Sequence, residues 1–268
     1  MRKRTLMAVF AHPDDEAFGT GGTLTKYAAE GHDVYLVTAT RGEAGQIAEP
    51  DLATPANLPF VRERELRCAC ETYGIHPPLL LGYLDGQLTA VHQGQAVGKL
   101  VRIIREIKPD VLITFGPDGI YGHYDHIAAH RWATIAADLA ADPDCFPDLD
   151  LCEPHQVSKI YYRAMPEEQV AAMAEDEKPA AVMMDGVPFY FFAPPAHEIT
   201  TVIDVGDYVQ AKLDGIGCHK TQVGRENRFA QEAEQIKGDK WFRQEAYILA
   251  RSTVGRSEGM ETDLLAGL

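Results

Sequence analysis

The sequence predicts an α/β fold: a three-layer, Rossmann-like, mostly parallel sheet with helices on both faces. Short apolar runs rich in β-branched residues alternate with longer segments of helical period, which is the pattern of βαβ units. The runs are near-continuously apolar rather than alternating, as strands buried on both faces are. Glycine or proline stands where most of the helical segments would stop.

The first strand is expected over residues 6–11, followed by a helix over 23–29 that stops at Gly31. A second strand over 33–39 leads to a helix over 60–73 that stops at Gly74. The run 79–81 is a third strand, and a helix over 96–107 halts before Pro109. A fourth strand over 111–115 precedes a helix over 125–139 with apolar residues at helical spacing. Residues 138–154 carry six acidic residues (Asp138, Asp142, Asp144, Asp148, Asp150, Glu153), no Lys or Arg, and three prolines, the composition of a surface loop. Beyond it, strands are expected over 157–164 and 200–205, and helices over 167–175, 209–218 and 228–236. No internal repeat or linker interrupts the chain, so a single domain over 1–268 is expected, with about 140–268 as a C-terminal extension or cap on the α/β core.

Charge and composition narrow the partners. With 46% hydrophobic residues and no apolar run near the roughly 20 residues of a bilayer span, disordered and membrane classes are excluded. The basic opening is followed by an apolar stretch too short for a signal core, so a cytoplasmic location is expected. A net charge of −15, from 40 acidic against 25 basic side chains, is the wrong sign for nucleic acid. Five cysteines (Cys68, Cys70, Cys145, Cys152, Cys218) contain no C-x-x-C pair and are odd in number, which favours reduced thiols over a disulfide frame.

The chemistry concentrates at two strand ends, where such sheets bind their ligands. AHPDDE (11–16) follows the first strand and crowds His12, Asp14, Asp15 and Glu16 together. A helix N-terminus explains one or two of those carboxylates but not the histidine. His12 and Asp15, three residues apart, can converge on one point. HYDHIAAH (123–130) follows the fourth strand and adds His123, His126 and His130. Imidazole and carboxylate donors together suit zinc, and three protein ligands with an open position define a catalytic site. His12, Asp15 and His126 are the ligand set, and Asp14, beside the metal but not spent on it, is the general base for water.

AHPDDE, the G-G-T-L run (21–24), T-R-G-E (40–43) and H-x-D-H (123–126) resemble the PIG-L/LmbE-like family of zinc-dependent N-deacetylases, with a weaker C-terminal echo in HKTQ (219–222). The resemblance implies an LmbE-like fold and one zinc per chain on His12, Asp15 and His126, with Asp14 as base. It further implies His123 as proton donor or electrostatic stabiliser, Asp125 as its orienting partner and Tyr121 as an aid to the oxyanion. Tyr124 stands where such enzymes often have proline, a departure within the motif. The implied reaction is hydrolytic removal of acetyl from an N-acetylglucosaminyl-type amino sugar or glycoside. The partner is then a small amino-sugar substrate, and a homo-oligomer is compatible with the family.

Arg41, Glu43, Arg62, Asp85 and His219 are the candidate substrate contacts, as charged residues placed to line the same rim. His32, His76, His92, His155 and His197 are read as surface or core histidines. A nucleotide-binding oxidoreductase is disfavoured, because Gly19, Gly21 and Gly22 lie too far past the strand to make G-x-G-x-x-G. An amidase acting on a thiol-sugar conjugate, or a non-catalytic metal- or sugar-binding protein, remains an alternative on the same core.

Overall fold

The computed structural model describes residues 2–147, 153–174, 178–184, 186–256 and 258–268. The chain divides into two compact units, Met1–Val91 with Asp204–Glu245, and His92–Ile203 with Ala246–Leu268. The first stretch holds β1 (Thr5–Phe10), α1 (Asp15–Gly19), α2 (Gly21–Ala29), β2 (Asp33–Thr38), α3 (Leu58–Tyr73) and β3 (Leu79–Leu80). The second holds α4 (Gln93–Ile107), β4 (Val111–Phe115), α5 (Gly119–Gly122), α6 (Tyr124–Leu139), β5 (Lys159–Ala164) and α7 (Glu167–Ala172). It continues through β6 (Ala181–Met184) and β7 (Val187–Tyr190) to β8 (Thr201–Asp204). Then come α8 (Val209–Cys218), α9 (Lys220–Val223), α10 (Arg228–Gln231), α11 (Ala233–Gly238), α12 (Lys240–Arg243) and β9 (Gln244–Ser252).

Seven of the described strands belong to a mostly parallel sheet surrounded by helices, the α/β class expected. In the first unit the order is β3-β2-β1, all parallel, with Phe10 paired to Thr38 and Thr38 to Leu80 at their carboxyl ends. In the second, β4 and β5 pair in parallel from Val111 with Lys159 to Phe115 with Arg163. β9 joins β5 antiparallel. β1 is buried on both faces from Leu6 to Phe10, which explains its unbroken apolar run; its Leu, Met, Val and Phe side chains contribute about 1.5–3 kcal/mol each.

The helices cover the strands through apolar stripes. α4 buries Ala96, Val97, Leu100, Val101 and Ile104 at helical spacing. The G-G-T-L run opens α2, where the buried Glu245 carboxylate accepts from Gly22 N (3.1 Å) and Thr23 N (2.8 Å) and pairs with Lys212 (2.7 Å). An anion at that helix start satisfies two orphan N–H groups. In the second unit, Lys159 is fully buried against Glu261 (3.2 Å), which also accepts from Tyr161 Oη (2.7 Å) and so fastens the C-terminal segment.

Several expectations change. Cys68 on α3 and Cys218 at the end of α8 are disulfide-bonded across 150 residues, so a chain of reduced thiols is incorrect; Cys70 and Cys145 are free. Spacing of cysteines cannot reveal that two helices bring a pair to a Cα separation of 5.8 Å. As expected, a loop follows the end of α6 at Leu139, and Arg105 pins its described start by donating to the carbonyls of Leu139, Ala140, Asp142 and Cys145. The segment 228–236 is two short helices rather than one. The β6–β7 ribbon and β9 were not anticipated. Asp148, Asp150, Cys152 and Glu175 lie outside the described residues. No helix among the described residues is long and apolar enough to cross a membrane.

Candidate active site

In the first unit the chemistry sits where β1 ends. His12 N donates to Asp15 Oδ2 at 2.7 Å, and His12 Nδ1 lies 3.5 Å from the same oxygen, so the two expected ligands share one turn. His12 Nε2 meets Asp85 Oδ1 at 3.0 Å. Burial pushes the Asp85 carboxyl up, but the hydrogen bond and charge of His12 outweigh it and hold Asp85 below its ordinary value. Asp85 is itself fixed by Ala44 N at 3.1 Å, and its own N–H donates to Glu43 Oε2 at 3.3 Å. A carboxylate on one imidazole nitrogen directs the other nitrogen to a metal; for His12 that nitrogen is Nδ1.

Asp14 adopts φ 108°, a left-handed conformation that costs an L-residue about 1–3 kcal/mol and needs support. Support comes from two sides. Asp14 N donates to Glu16 Oε2 at 2.9 Å. The buried Arg62 donates through Nη2 to Pro13 O (2.5 Å) and Asp14 Oδ2 (3.1 Å), and through Nη1 to Gly42 O (3.1 Å). Gly42 has φ 70°, and a Cβ there would run into the Arg62 guanidinium, which accounts for glycine in T-R-G-E. Burial raises the Asp14 carboxyl to about 6, against the pull of Arg62. A carboxyl near neutrality can both take and return a proton.

Glu16 and His219 are both 0% exposed and meet at 2.6 Å between Glu16 Oε1 and His219 Nε2. Burial pulls the His219 imidazole down, but the charge and hydrogen bond of Glu16 prevail and leave it above its ordinary value. The HKTQ run thereby gains a physical reading. His219 holds Glu16, Thr221 donates through N (2.8 Å) and Oγ1 (2.6 Å) to Glu65 of α3, and Gln222 Nε2 donates to Gln46 O (3.0 Å).

In the second unit the site follows β4. Asp118 Oδ1 accepts from Ile120 N at 2.6 Å and shapes the turn that presents Tyr121. Gly119 has φ 65°, and a Cβ there would press on His126 Cβ and Ile127 Cγ1. Its carbonyl takes the Nδ1 hydrogen of His126 at 3.1 Å, which leaves the lone pair of His126 on Nε2, the nitrogen able to ligate. His126 stacks on Phe115 with ring centroids 4.0 Å apart. His123 is in the opposite tautomer: its Nδ1 accepts from Asp125 N at 3.1 Å and caps α6, so its proton resides on Nε2 as a donor. Tyr121 meets both rings edge-on, at 5.9 Å from His123 and 5.1 Å from His126. Asp125 is fully buried. His130 turns away, its Nδ1 2.8 Å from Phe115 O, and burial lowers it from the ordinary histidine value.

The structure thus brings His12, Asp15, Asp14, Asp85 and Arg62 together in the first unit, and Tyr121, His123, Asp125 and His126 together in the second. Of the expected substrate contacts, Arg62, Asp85 and His219 face protein partners. Arg41 pairs with Glu63 at 2.9 Å, and Glu43 Oε2 also accepts from Arg41 N at 3.3 Å. Sequence reasoning assigned no task to Glu16 or Glu65. Glu16 lay within the AHPDDE cluster as a signal; Glu65 had none.

Comparison with known proteins follows the same motifs. Residues 7–137 match the family described as GlcNAc-PI de-N-acetylase, PIG-L. A protein of Streptomyces griseus, 1D-myo-inositol 2-acetamido-2-deoxy-alpha-D-glucopyranoside deacetylase, is 37% identical over 296 residues, covering 99% of this chain and 89% of that protein. Among solved structures, N,N'-diacetylchitobiose deacetylase from Pyrococcus horikoshii aligns with a TM-score of 0.68 at 20% identity, over 91% of this chain and 82% of that one. The zinc-inhibited form of teicoplanin deacetylase Orf2 aligns at a TM-score of 0.53 and 17% identity, over 94% of this chain and 100% of that one. These two likenesses bear on the fold.

Proposed function

Since this chain belongs to the PIG-L family of de-N-acetylases, we propose that it hydrolyses the acetamide of an N-acetylglucosaminyl glycoside, releasing acetate and a free amine, with one zinc ion per chain. The substrate named for the Streptomyces griseus relative, a 2-acetamido-2-deoxy-glucopyranoside of myo-inositol, is the first candidate. The donor set fits the metal: His12, Asp15 and His126 offer two imidazole nitrogens and a carboxylate oxygen, the composition of a catalytic zinc site. A bound zinc supplies Lewis-acid polarisation of the acetyl carbonyl and acidifies water at its open position.

The chain's own residues supply the rest. Asp14, held by Arg62 and Glu16, takes the proton of the attacking water. Tyr121 Oη donates to the developing oxyanion, which a preorganised donor stabilises by about 3–4 kcal/mol. His123, a neutral imidazole whose Nδ1 accepts from Asp125 N, donates a hydrogen bond from Nε2–H to the acetamide as charge develops, and Asp14 returns to the departing amine the proton it took from water. Asp85 fixes the tautomer of His12, and Arg62 and His219 act by holding Asp14 and Glu16 rather than by touching sugar. Arg41 and Glu43 are the rim residues for sugar hydroxyls.

The observation that carries this reading is the opposed tautomers of two neighbouring histidines, a lone pair on His126 Nε2 and a proton on His123 Nε2. One is a ligand, the other a hydrogen-bond donor to the reacting amide. The test is an acetate-release screen over N-acetylglucosaminides that differ only in aglycone, run beside two variants. Asp14→Asn keeps its zinc and loses turnover, whereas Asp15→Ala loses the metal. Zinc-loaded wild-type protein that releases acetate from none of them would falsify the reading.

A further inference from the structure

The loop carrying His123 is bordered by an aromatic surface to which the proposed reaction assigns no role. Tyr124, directly after His123, is 66% exposed although it opens α6. Phe189 on β7 meets its ring edge-on at 6.2 Å. Phe192, 51% exposed, is fastened to the loop by its N–H, which donates to Ile120 O at 2.8 Å. Gly122, immediately before His123, lies under these rings: a Cβ there would be 3.6 Å from Phe192 and 4.0 Å from Phe189. Phe191, two residues beyond Phe189, packs edge-on against Tyr121 at 5.4 Å. β7 and the two residues that follow it therefore place aromatic rings against Tyr121 and Tyr124, the residues that flank Gly122 and His123 in the chain.

The geometry points to a subsite formed by Tyr124, Phe189 and Phe192 that stacks on the aglycone ring of the glycoside, a saturated, hydroxylated six-membered ring. This rests on the deacetylase reading, because His123 then marks where the acetamide sits and the patch begins one residue away. Such a ring carries C–H groups on its faces and hydroxyls around its rim. Stacked on an aromatic face, it covers apolar surface while its hydroxyls stay in water, which suits rings that are half exposed rather than buried. A protein partner fits less well. A single aromatic side chain offers about 150–250 Å² in all, so three partly covered rings fall well short of the ~800 Å² per side of a stable interface. An extended apolar chain would call for a groove of aliphatic side chains. Tyr124 supplies the ring of the subsite that adjoins His123 in the chain. Alternation along β7 turns Tyr190 to the opposite face of the ribbon from Phe189, so it lies outside the subsite although it is 50% exposed.

The experiment compares kcat and KM on two substrates, an N-acetylglucosaminide of a cyclitol and methyl N-acetylglucosaminide. In Tyr124→Ala and Phe192→Ala the preference for the cyclitol glycoside drops roughly three- to tenfold per ring through KM. Tyr124→Phe retains the preference, and Tyr190→Ala, on the far face, matches wild type. An unchanged preference in both alanine variants overturns the subsite, as does a loss confined to kcat or equal for both substrates. Should wild type hydrolyse neither substrate, the deacetylase reading fails on its own, and calorimetric titration with the amino-sugar cyclitol glycoside still tests the subsite. Binding weakened by Tyr124→Ala supports it, and binding equal to wild type overturns it.

Discussion

Replacing His219 by alanine isolates the contribution of the C-terminal third of the chain to the Asp14 turn. Glu16 and His219 are fully buried and 2.6 Å apart. Deleting the imidazole leaves a buried carboxylate without its counter-charge, a change that costs about 3–5 kcal/mol. At about 2–4 °C per kcal/mol for a domain of this size, the melting temperature falls by about 6–20 °C. His219→Gln keeps a donor for Glu16 and loses only the charge, so it costs about 1–2 kcal/mol. The pH dependence has a definite sign. The folded state raises the histidine above its ordinary 6.5, so the pair's contribution is complete below 6.5 and is lost as pH climbs through the higher folded value. Scanning calorimetry from pH 5.5 to 9 should then show the gap between wild type and His219→Gln closing at the alkaline end. Because Glu16 also holds Asp14 N, kcat in His219→Ala falls, toward the ~100-fold that a displacement of about 1 Å costs. A His219→Ala protein that melts with wild type at pH 6 would refute the reasoning, as would a gap that widens with pH.

Further outcomes follow from neighbouring contacts. Asp85→Asn removes the carboxylate on His12 Nε2 and should weaken zinc binding about 10–100-fold, as measured by competition with a chromophoric chelator; unchanged affinity would show that Asp85 does not orient the ligand. Reducing the Cys68–Cys218 bond, or replacing both residues with serine, should lower unfolding free energy by about 2–4 kcal/mol in urea titrations. No change in stability would mean that the bond constrains little in the unfolded chain.

Local and long-range information differ in how far they could be read from residues alone. β1, α3, β4 and α8 were legible because a buried strand or an amphipathic helix writes its own period into consecutive residues. The clusters at 11–16 and 123–126 were legible for the same reason: the groups within each are supplied by a single turn. Glu16 with His219, and Glu65 with Thr221, join positions 203 and 156 residues apart, and no local pattern encodes such a pairing. Asp85 was visible as a charged residue after a strand, but its partner His12 was not, so it was read as a sugar contact. β9 escaped notice because its polar and apolar residues mix, and its place is fixed by pairing with β5. The aromatic ribbon was hidden in a stretch without period, where the exposed rings mark a surface for binding rather than a core. The charge of −15 proved uninformative about the metal, because the relevant carboxylates are identified by position.

The central claim, that this chain is a metal-dependent N-deacetylase, is tested most directly by removing and restoring the metal. The protein is dialysed against a chelator, checked by elemental analysis and circular dichroism, and titrated with zinc while acetate release from an N-acetylglucosaminyl glycoside is followed. The account predicts that turnover disappears with the metal while the fold remains, and returns to a plateau at one zinc per chain. Undiminished acetate release from folded, metal-free protein would contradict it.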